Sequence, residues 1–103
     1  MSNLGLDYEL RGKTAEVAVK GELDMAGAFT LEPAIERVVA EHEVEELVVD
    51  LEGVAFMDSA GLGSLLSTQE RLQDLGITAK FRRPSKAVER VLDTSGTRGV
   101  LIG

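Results

Sequence analysis

The stretch from Leu47 to Leu75, LVVDLEGVAFMDSAGLGSLLSTQERLQDL, decides the fold because a strand, a short polar segment and a helix follow one another in it. Its first five residues, 47–51, are mostly leucine and valine, which predicts a short strand buried on both faces. Leucines then recur at positions 62, 65, 66, 72 and 75, the spacing of one face of a helix. We expect that helix to begin at Ser59 or Ala60 and to reach Leu75, with Gly76 as its C-terminal stop.

The polar segment between the two elements, residues 58–63, lies where the helix begins. The first backbone N–H groups of a helix have no partner within it, and the helix dipole places positive charge there. A hydroxyl at this position suits a bound anion or a serine that becomes phosphorylated. Asp and Ser before an apolar helical face are also common N-cap residues, so for Asp58 and Ser59 both interpretations stay open.

Composition places the chain among ordinary globular domains. Its 103 residues, 44% hydrophobic and 28% charged, suit one domain with a single core. The formal charge of −7 argues against binding nucleic acid or an anionic membrane, because both attract basic patches. The absence of cysteine excludes disulfides and thiolate metal sites. Without a signal peptide or an apolar run of about 18 to 20 residues, we expect a soluble cytoplasmic protein.

Apolar spacing predicts the other elements. Alternating side chains predict a hairpin, and GELD at 21–24 is expected to end the sheet edge and lead to a helix. We expect that helix to begin near Thr30 or to have a bent first turn, because Pro33 would kink a helix that began near Ala26. It should end near Glu43. The other predicted elements are strands over 4–10, 15–20 and 77–81, a third helix capped by Ser85 that contains Val88, Val91 and Leu92, and a last strand or tail over 100–102.

Three motifs carry a family resemblance: GELD at 21–24, FMDSAGLG at 56–63 and LDTSG at 92–96. Together, in this order, they resemble the STAS domain of bacterial anti-sigma-factor antagonists, over nearly all of residues 1–103 as a single domain. The resemblance implies an α/β, STAS-like fold, with a mixed sheet of about four strands packed against three or four helices. In that family the serine after the motif aspartate is phosphorylated, which here is Ser59. A second serine often follows it, and here Ala60 stands in its place.

The resemblance also implies a partner-binding face, on which Asp24 lies next to Ser59. From the residues alone, Asp24 is equally a turn or capping aspartate. We predict that Asp24→Ala weakens partner binding and leaves thermal stability nearly unchanged, as exposed substitutions usually do. Gly61 and Gly63 could simply loosen the first helical turn, at a cost of up to about 1 kcal/mol each, but close approach of backbone or partner explains them better. The residues assigned to this face are Glu22, Asp24, Asp58, Ser59, Ala60, Gly61, Leu62, Gly63 and Ser95.

In such a system the unmodified protein binds an anti-sigma factor that is also a serine kinase, and so frees a sigma factor. The kinase phosphorylates Ser59 with ATP, which weakens the complex, and a PP2C-type phosphatase reverses the modification. By this resemblance the chain is a substrate and not an enzyme, with no catalytic residue, cofactor or metal. We expect no nucleic acid or membrane partner, and a monomer or weak dimer.

Other functions remain as alternatives. A hydrolase with Ser59 as nucleophile needs a base, and the sequence offers His42 alone, which we interpret as a solvated residue near the end of the first helix. A receiver-type phosphoacceptor at Asp50, expected at a strand end, lacks an acidic pair to hold magnesium. A STAS subunit of a lipid-transport or sensory assembly, never phosphorylated, keeps the fold and changes the role.

Overall fold

The computed structural model describes residues 3–102, which form a four-stranded sheet and four helices. The strands lie side by side in chain order; β1 and β2 form an antiparallel hairpin, while β2, β3 and β4 are parallel to one another. The predicted α/β class with a mixed four-stranded sheet is confirmed. The elements are β1 (Leu4–Arg11), β2 (Thr14–Leu23), α1 (Met25–Glu41), β3 (Glu46–Met57), α2 (Ser59–Asp74), β4 (Thr78–Arg82), α3 (Lys86–Ser95) and α4 (Arg98–Leu101).

The hydrophobic core lies between the helices and one face of the sheet. Alternate residues of β2 and β3 point into it, as a strand with one buried face requires. The buried side chains include Ala15, Val17 and Val19 of β2, Leu47, Val49 and Leu51 of β3, and Leu31, Ile35, Leu65, Leu72, Val88 and Leu92 of the helices.

The opposite face of β3 corrects one prediction. Val48 and Asp50 are only half-buried, so β3 is not buried on both faces. Charged side chains occupy this face, where Arg83 contacts Asp50 and Glu52. The hydrogen bond to Glu52, followed by the charge of Asp50, raises the pKa of Arg83. Asp50 also lies within the strand and not at its end, which removes the geometry expected of a receiver-type phosphoacceptor.

Strand β3 is more than twice as long as predicted. Its pairing with β2 shifts register twice, once between Ala18 and Lys20 and once between Gly21 and Glu22, and each shift places an extra residue in β3. These bulges keep Val54 and Met57 in the core at a spacing of three residues, instead of the usual two. The strand therefore continues through Glu52 and Gly53 and delivers its carboxyl end directly to α2.

Helix α1 begins at Met25, so the prediction of a start near Thr30 is wrong. Asp24 caps the helix: its carboxylate accepts a hydrogen bond of 2.8 Å from the Gly27 backbone N–H. Pro33 consequently lies inside the helix, as its ninth residue, with its ring exposed to solvent. The cap fixes the first turn of the helix, which lies N-terminal to the proline. Because proline has no N–H, the helix lacks the hydrogen bond that residue 33 would otherwise donate.

The C-terminal half resolves the remaining predictions. Helix α2 ends at Asp74, and Leu75 is 49% exposed, so Leu75 does not belong to the buried leucine face. Gly76 follows in the left-handed conformation, with φ of 76°, as expected of a C-terminal stop. Ser85 caps α3 as predicted, by accepting a hydrogen bond from the Val88 N–H. Residues 98–101 form the short helix α4 in place of a last strand or tail.

Candidate functional site

Two capping aspartates lie side by side at one end of the sheet. Asp24 follows the last residue of β2 and Asp58 follows the last residue of β3, and these last residues, Leu23 and Met57, are register partners. Because the two strands are parallel, their carboxyl ends meet at the same edge. The structure therefore brings together two residues that are 34 positions apart, as the resemblance implied for this pair of loops.

Each aspartate caps its helix in the same way. Asp58 accepts a hydrogen bond of 2.9 Å from the Gly61 N–H, as Asp24 does from Gly27. Both glycines are buried against backbone: a Cβ on Gly61 would overlap the carbonyl oxygen of Leu23, and a Cβ on Gly27 would overlap that of Glu22. The first turns of α1 and α2 thus pack closely on the end of β2, which fixes the position of both helix starts.

Ser59 is the first residue of α2 and its side chain is exposed. Asp58 provides the side-chain cap, and within residues 3–102 no hydrogen bond engages the Ser59 hydroxyl. The capping interpretation therefore applies to Asp58 and not to Ser59. An exposed hydroxyl at a helix N-terminus is accessible to a modifying enzyme, and the helix dipole favours an anion formed there.

The neighbouring motif residues differ in accessibility. Gly63 is exposed, and a Cβ there would meet nothing within 4 Å, so the chain's own backbone does not explain this glycine. Leu62 is 8% exposed and belongs to the core, which leaves little of it to contact a partner. Ala60 is half-buried. Glu22 is exposed and accepts a hydrogen bond of 3.1 Å from the side-chain amide of Asn3.

Ser95 is engaged at a different place, the C-terminus of α3. Its hydroxyl bonds to the Leu92 carbonyl oxygen at 3.3 Å and to the Thr97 hydroxyl at 2.7 Å. The helix that follows, α4, is joined to α2 by a hydrogen bond from the Gln69 side chain to the Val100 carbonyl oxygen. Gln69 lies ten residues beyond Ser59 in α2, about 15 Å along the helix axis. In the described chain, no hydrogen bond of Ser95 connects it to the end of the sheet where Asp24, Asp58 and Ser59 lie, which we call the Asp24–Asp58 end.

Three exposed apolar side chains lie near this end of the sheet, and none of them was assigned to the partner-binding face from the sequence. Met25 and Phe29, one turn apart at the start of α1, are 63% and 76% exposed, and Phe56 precedes the last residue of β3. Exposed aromatic and methionine side chains are enriched where proteins bind one another. The available signal was the position of Met25 directly after GELD and of Phe56 as the first residue of FMDSAGLG.

The hydrolase alternative loses its base. His42 is the C-cap of α1, at the opposite end of that 17-residue helix from Asp24. Its Nε2 atom lies 3.3 Å from the Tyr8 hydroxyl. A 17-residue helix is about 25 Å long, so the imidazole is far from the Ser59 end of the sheet. His42 therefore does not act as a base for Ser59.

Within residues 3–102, no group of three or more His, Cys, Asp and Glu side chains is arranged to hold a metal ion. In the same part of the chain, no helix is long and apolar enough to cross a membrane.

Comparison with known protein families identifies one that matches most of this chain. The sequence model of the STAS domain family matches residues 6–101. An anti-sigma F factor antagonist of Paenibacillus polymyxa is 28% identical over 94 residues, 91% of this chain and 80% of the relative. The crystal structure of an anti-sigma factor antagonist from Mycobacterium paratuberculosis has a TM-score of 0.80 and 32% identity, covering 95% of this chain and 82% of the other.

The anti-sigma factor antagonist SpoIIAA, in its unphosphorylated form, has the same fold, with a TM-score of 0.76 at 23% identity over 95% of this chain and 86% of its own. With a family model that matches almost its whole length, the chain belongs to the STAS domain family.

Proposed function

We propose that this STAS domain is an anti-sigma-factor antagonist whose binding to an anti-sigma factor kinase is switched off by phosphorylation of Ser59. One observation carries the proposal: Asp58 provides the helix cap, which leaves the adjacent Ser59 hydroxyl exposed and without a hydrogen bond in the described chain. The names of the relatives support the class of partner. Because its partner regulates a sigma factor and uses ATP as phosphate donor, we expect the protein to work in the cytoplasm.

The modification is a phosphoryl transfer to which the chain contributes the acceptor. The Ser59 Oγ attacks the γ-phosphorus of ATP, the bond from that phosphorus to the β–γ bridging oxygen breaks, and ADP leaves. The serine proton passes to a base of the kinase. A PP2C-type phosphatase reverses the step when water attacks the phosphorus, releasing inorganic phosphate and restoring the hydroxyl. No base or metal of this chain takes part.

The partner is expected to cover the Asp24–Asp58 end together with Met25, Phe29 and Phe56. Apolar side chains exposed beside the acceptor give the unmodified protein area to bury against the kinase. A phosphate at Ser59 adds about −1.5 to −2 charges at neutral pH in the middle of that surface. Asp24 and Asp58 already make the surface negative, so a partner that approaches with a carboxylate is repelled.

Labelling with ATP tests the proposal. Incubation with purified candidate anti-sigma factor kinases should place one phosphate on the protein, and phosphopeptide mapping should locate it at Ser59. Ser64 is buried, with its hydroxyl bonded to the Gly61 carbonyl oxygen, and serves as an internal negative control. Full labelling of Ser59→Ala would contradict the assignment. Absence of labelling by every kinase would favour the unphosphorylated STAS subunit of a larger assembly.

A further inference from the structure

The charge of this chain is unevenly distributed along the sequence. Thirteen acidic and two basic residues occur between positions 21 and 76, a net charge of −11, so the rest of the chain carries +4. In β3 the acidic side chains Glu46, Asp50 and Glu52 are ion-paired with cations of β4 or of the residue after it. The acidic side chains of α1 and α2 have much less compensation: across the described residues their single ion pair joins Glu36 to Arg71 at 2.8 Å.

These helices border a groove of about 540 Å³, which we call the α1–α2 groove. Phe29 and Pro33 form an apolar border on α1, and the two side chains are exposed. Four carboxylates line the groove, against the single cation Arg71, which Glu36 already engages. The carboxylates are those of Glu32, Glu36, Glu70 and Asp74.

A buried hydroxyl lies under the same groove. Thr68 of α2 is 4% exposed, and its Oγ1 atom has no hydrogen-bond partner among the described residues. It borders a small cavity of about 20 Å³ that also contacts Glu32, Glu36 and Arg71. A buried polar atom without a partner is costly, so this hydroxyl favours occupation of the small cavity by one water-sized group that donates or accepts a hydrogen bond.

We propose that the α1–α2 groove binds a basic, amphipathic segment of the protein partner, with an apolar side chain on Phe29 and Pro33 and lysine or arginine against Glu32, Glu70 and Asp74. The groove is bordered by Phe29, which lies one helical turn after Met25, so a partner that covers the start of α1 can extend into it. The assignment of that partner as the anti-sigma factor rests on the proposed function. Charge complementarity selects the segment, because uncompensated carboxylates attract cations and repel anionic ligands such as nucleic acids.

Binding in the α1–α2 groove does not depend on the phosphorylation state of Ser59. The switch responds to the charge of residue 59, whereas the carboxylates of the groove lie on later turns of α1 and α2. Glu70 and Asp74 are 11 and 15 residues beyond Ser59, about 16 to 22 Å along the helix, where exposed charges are largely screened from a phosphate at residue 59. The groove therefore supplies affinity that phosphorylation does not remove.

The test is an NMR titration of the full chain with a synthetic 15-residue peptide of lysine and leucine in helical periodicity. The wild type is compared with a groove variant, Glu32→Gln with Glu70→Gln, and a matched control, Glu9→Gln with Glu43→Gln. Both variants lose two carboxylates, of which Glu32 is half-buried and the other three are exposed, and so have equal net charge. The expected result is amide shifts concentrated at Phe29, Glu32, Glu70 and Asp74, with a Kd about tenfold weaker in the groove variant. The control should stay within about twofold.

Equal Kd values for the two variants, or shifts spread evenly over the surface, would overturn the proposal as non-specific attraction. Ser59→Glu should bind this peptide as the wild type does, since the groove is unchanged. The same pair of variants, titrated with the purified anti-sigma factor kinase, should again differ by about tenfold. Failure of Ser59→Glu to weaken that kinase complex would count against the proposed switch alone, while equal kinase affinity of the groove and control variants would count against the groove alone.

Discussion

Asp24 has two roles at the residue scale, because its carboxylate both caps α1 and contributes negative charge beside Ser59. Because this carboxylate accepts a hydrogen bond from the Gly27 N–H, the structure leads us to expect a loss of stability in Asp24→Ala, where the sequence led us to expect stability nearly unchanged. Loss of an N-cap costs about 0.5–2 kcal/mol, so Asp24→Ala should lower the free energy of unfolding by about 1 kcal/mol. Asp24→Asn retains an oxygen for the cap and should be nearly neutral. Urea unfolding of both variants measures the difference.

Comparing Asp24→Ala with Asp24→Asn also separates the role of Asp24 in stability from its role in partner binding. Asp24→Asn removes the charge while keeping the cap, so a change in kinase affinity in this variant reports the role of the carboxylate at the interface. If Asp24→Ala were as stable as the wild type, the capping hydrogen bond would contribute nothing and the original expectation would stand.

The two motif glycines of α2 should respond to alanine in opposite directions. A Cβ at Gly61 overlaps the Leu23 carbonyl oxygen, and backbone cannot move aside as a flexible side chain does. Gly61→Ala should therefore destabilise the protein by about 1–3 kcal/mol. At Gly63 a Cβ meets open space, so Gly63→Ala should stabilise by up to about 1 kcal/mol through helix propensity.

Denaturant midpoints of the two alanine variants decide this prediction. Two variants of equal stability would show that the close approach of α2 to β2 is not constraining. A Gly63→Ala protein that is more stable but binds the kinase more weakly would indicate that the partner itself contacts residue 63.

At the element scale, α1 contains a proline whose cost should be measurable. Pro33→Ala restores an N–H donor for the Phe29 carbonyl oxygen and removes the ring from the preceding turn, gains that amount to about 3 kcal/mol in a helix interior. The more flexible unfolded chain offsets about 0.4–1 kcal/mol of this. The helical term is larger, so Pro33→Ala should stabilise the protein by about 2–2.6 kcal/mol in thermal or urea unfolding.

The chain's other proline provides the matched control. Pro84 lies in the loop before α3, where no helical hydrogen bond is lost to it. Pro84→Ala should therefore destabilise slightly, by about 0.4–1 kcal/mol, through the unfolded state alone. A stabilising effect at both positions would mean that the location of Pro33 within α1 is not the cause.

The type of the longer elements was predictable here, whereas the helical nature of residues 98–101 and several boundaries were not. The leucine spacing of α2 and the alternation in β1 and β2 specify those elements, because local periodicity is enough to identify an amphipathic helix or a half-buried strand. The start of α1 depended on a cap at Asp24 that overrides the local preference of Pro33. The continuation of β3 through Glu52 and Gly53 depended on bulges whose pairing partners lie in β2. Neither feature is encoded in the periodicity of the segment it changes.

At the scale of the whole molecule, strand order and register assemble the candidate site. Parallel pairing of β2 with β3 places Asp24 beside Asp58, which the motifs implied only through family resemblance. Helices on a single face leave the other face of the sheet to charged side chains, so β3 is half-buried in spite of its apolar sequence. The uncovered carboxylates of α1 and α2 could not be assigned to one groove before the packing of these helices was known.

Phosphorylation of Ser59 should change binding without changing the fold. The helix N-terminus favours an added anion by about 0.3–1 kcal/mol, while Asp58 and Asp24 oppose it across a solvated surface. The two terms nearly cancel, so the free energy of unfolding should change by less than about 1 kcal/mol and Tm by no more than about 4–8 °C. Binding is affected much more. If the partner places a carboxylate about 5 Å from the phosphate, repulsion at an effective dielectric of about 20 weakens the binding free energy by on the order of 3 kcal/mol per unit charge, or roughly a hundredfold in affinity. Calorimetry of both forms, for unfolding and for kinase binding, measures the two quantities on the same protein.

Ser59→Ala should bind and resist the switch, and Ser59→Asp, with one charge, should bind at an intermediate level. A phosphoprotein that partly unfolds, or that binds the kinase as tightly as the unmodified form, would show that local repulsion is not the mechanism.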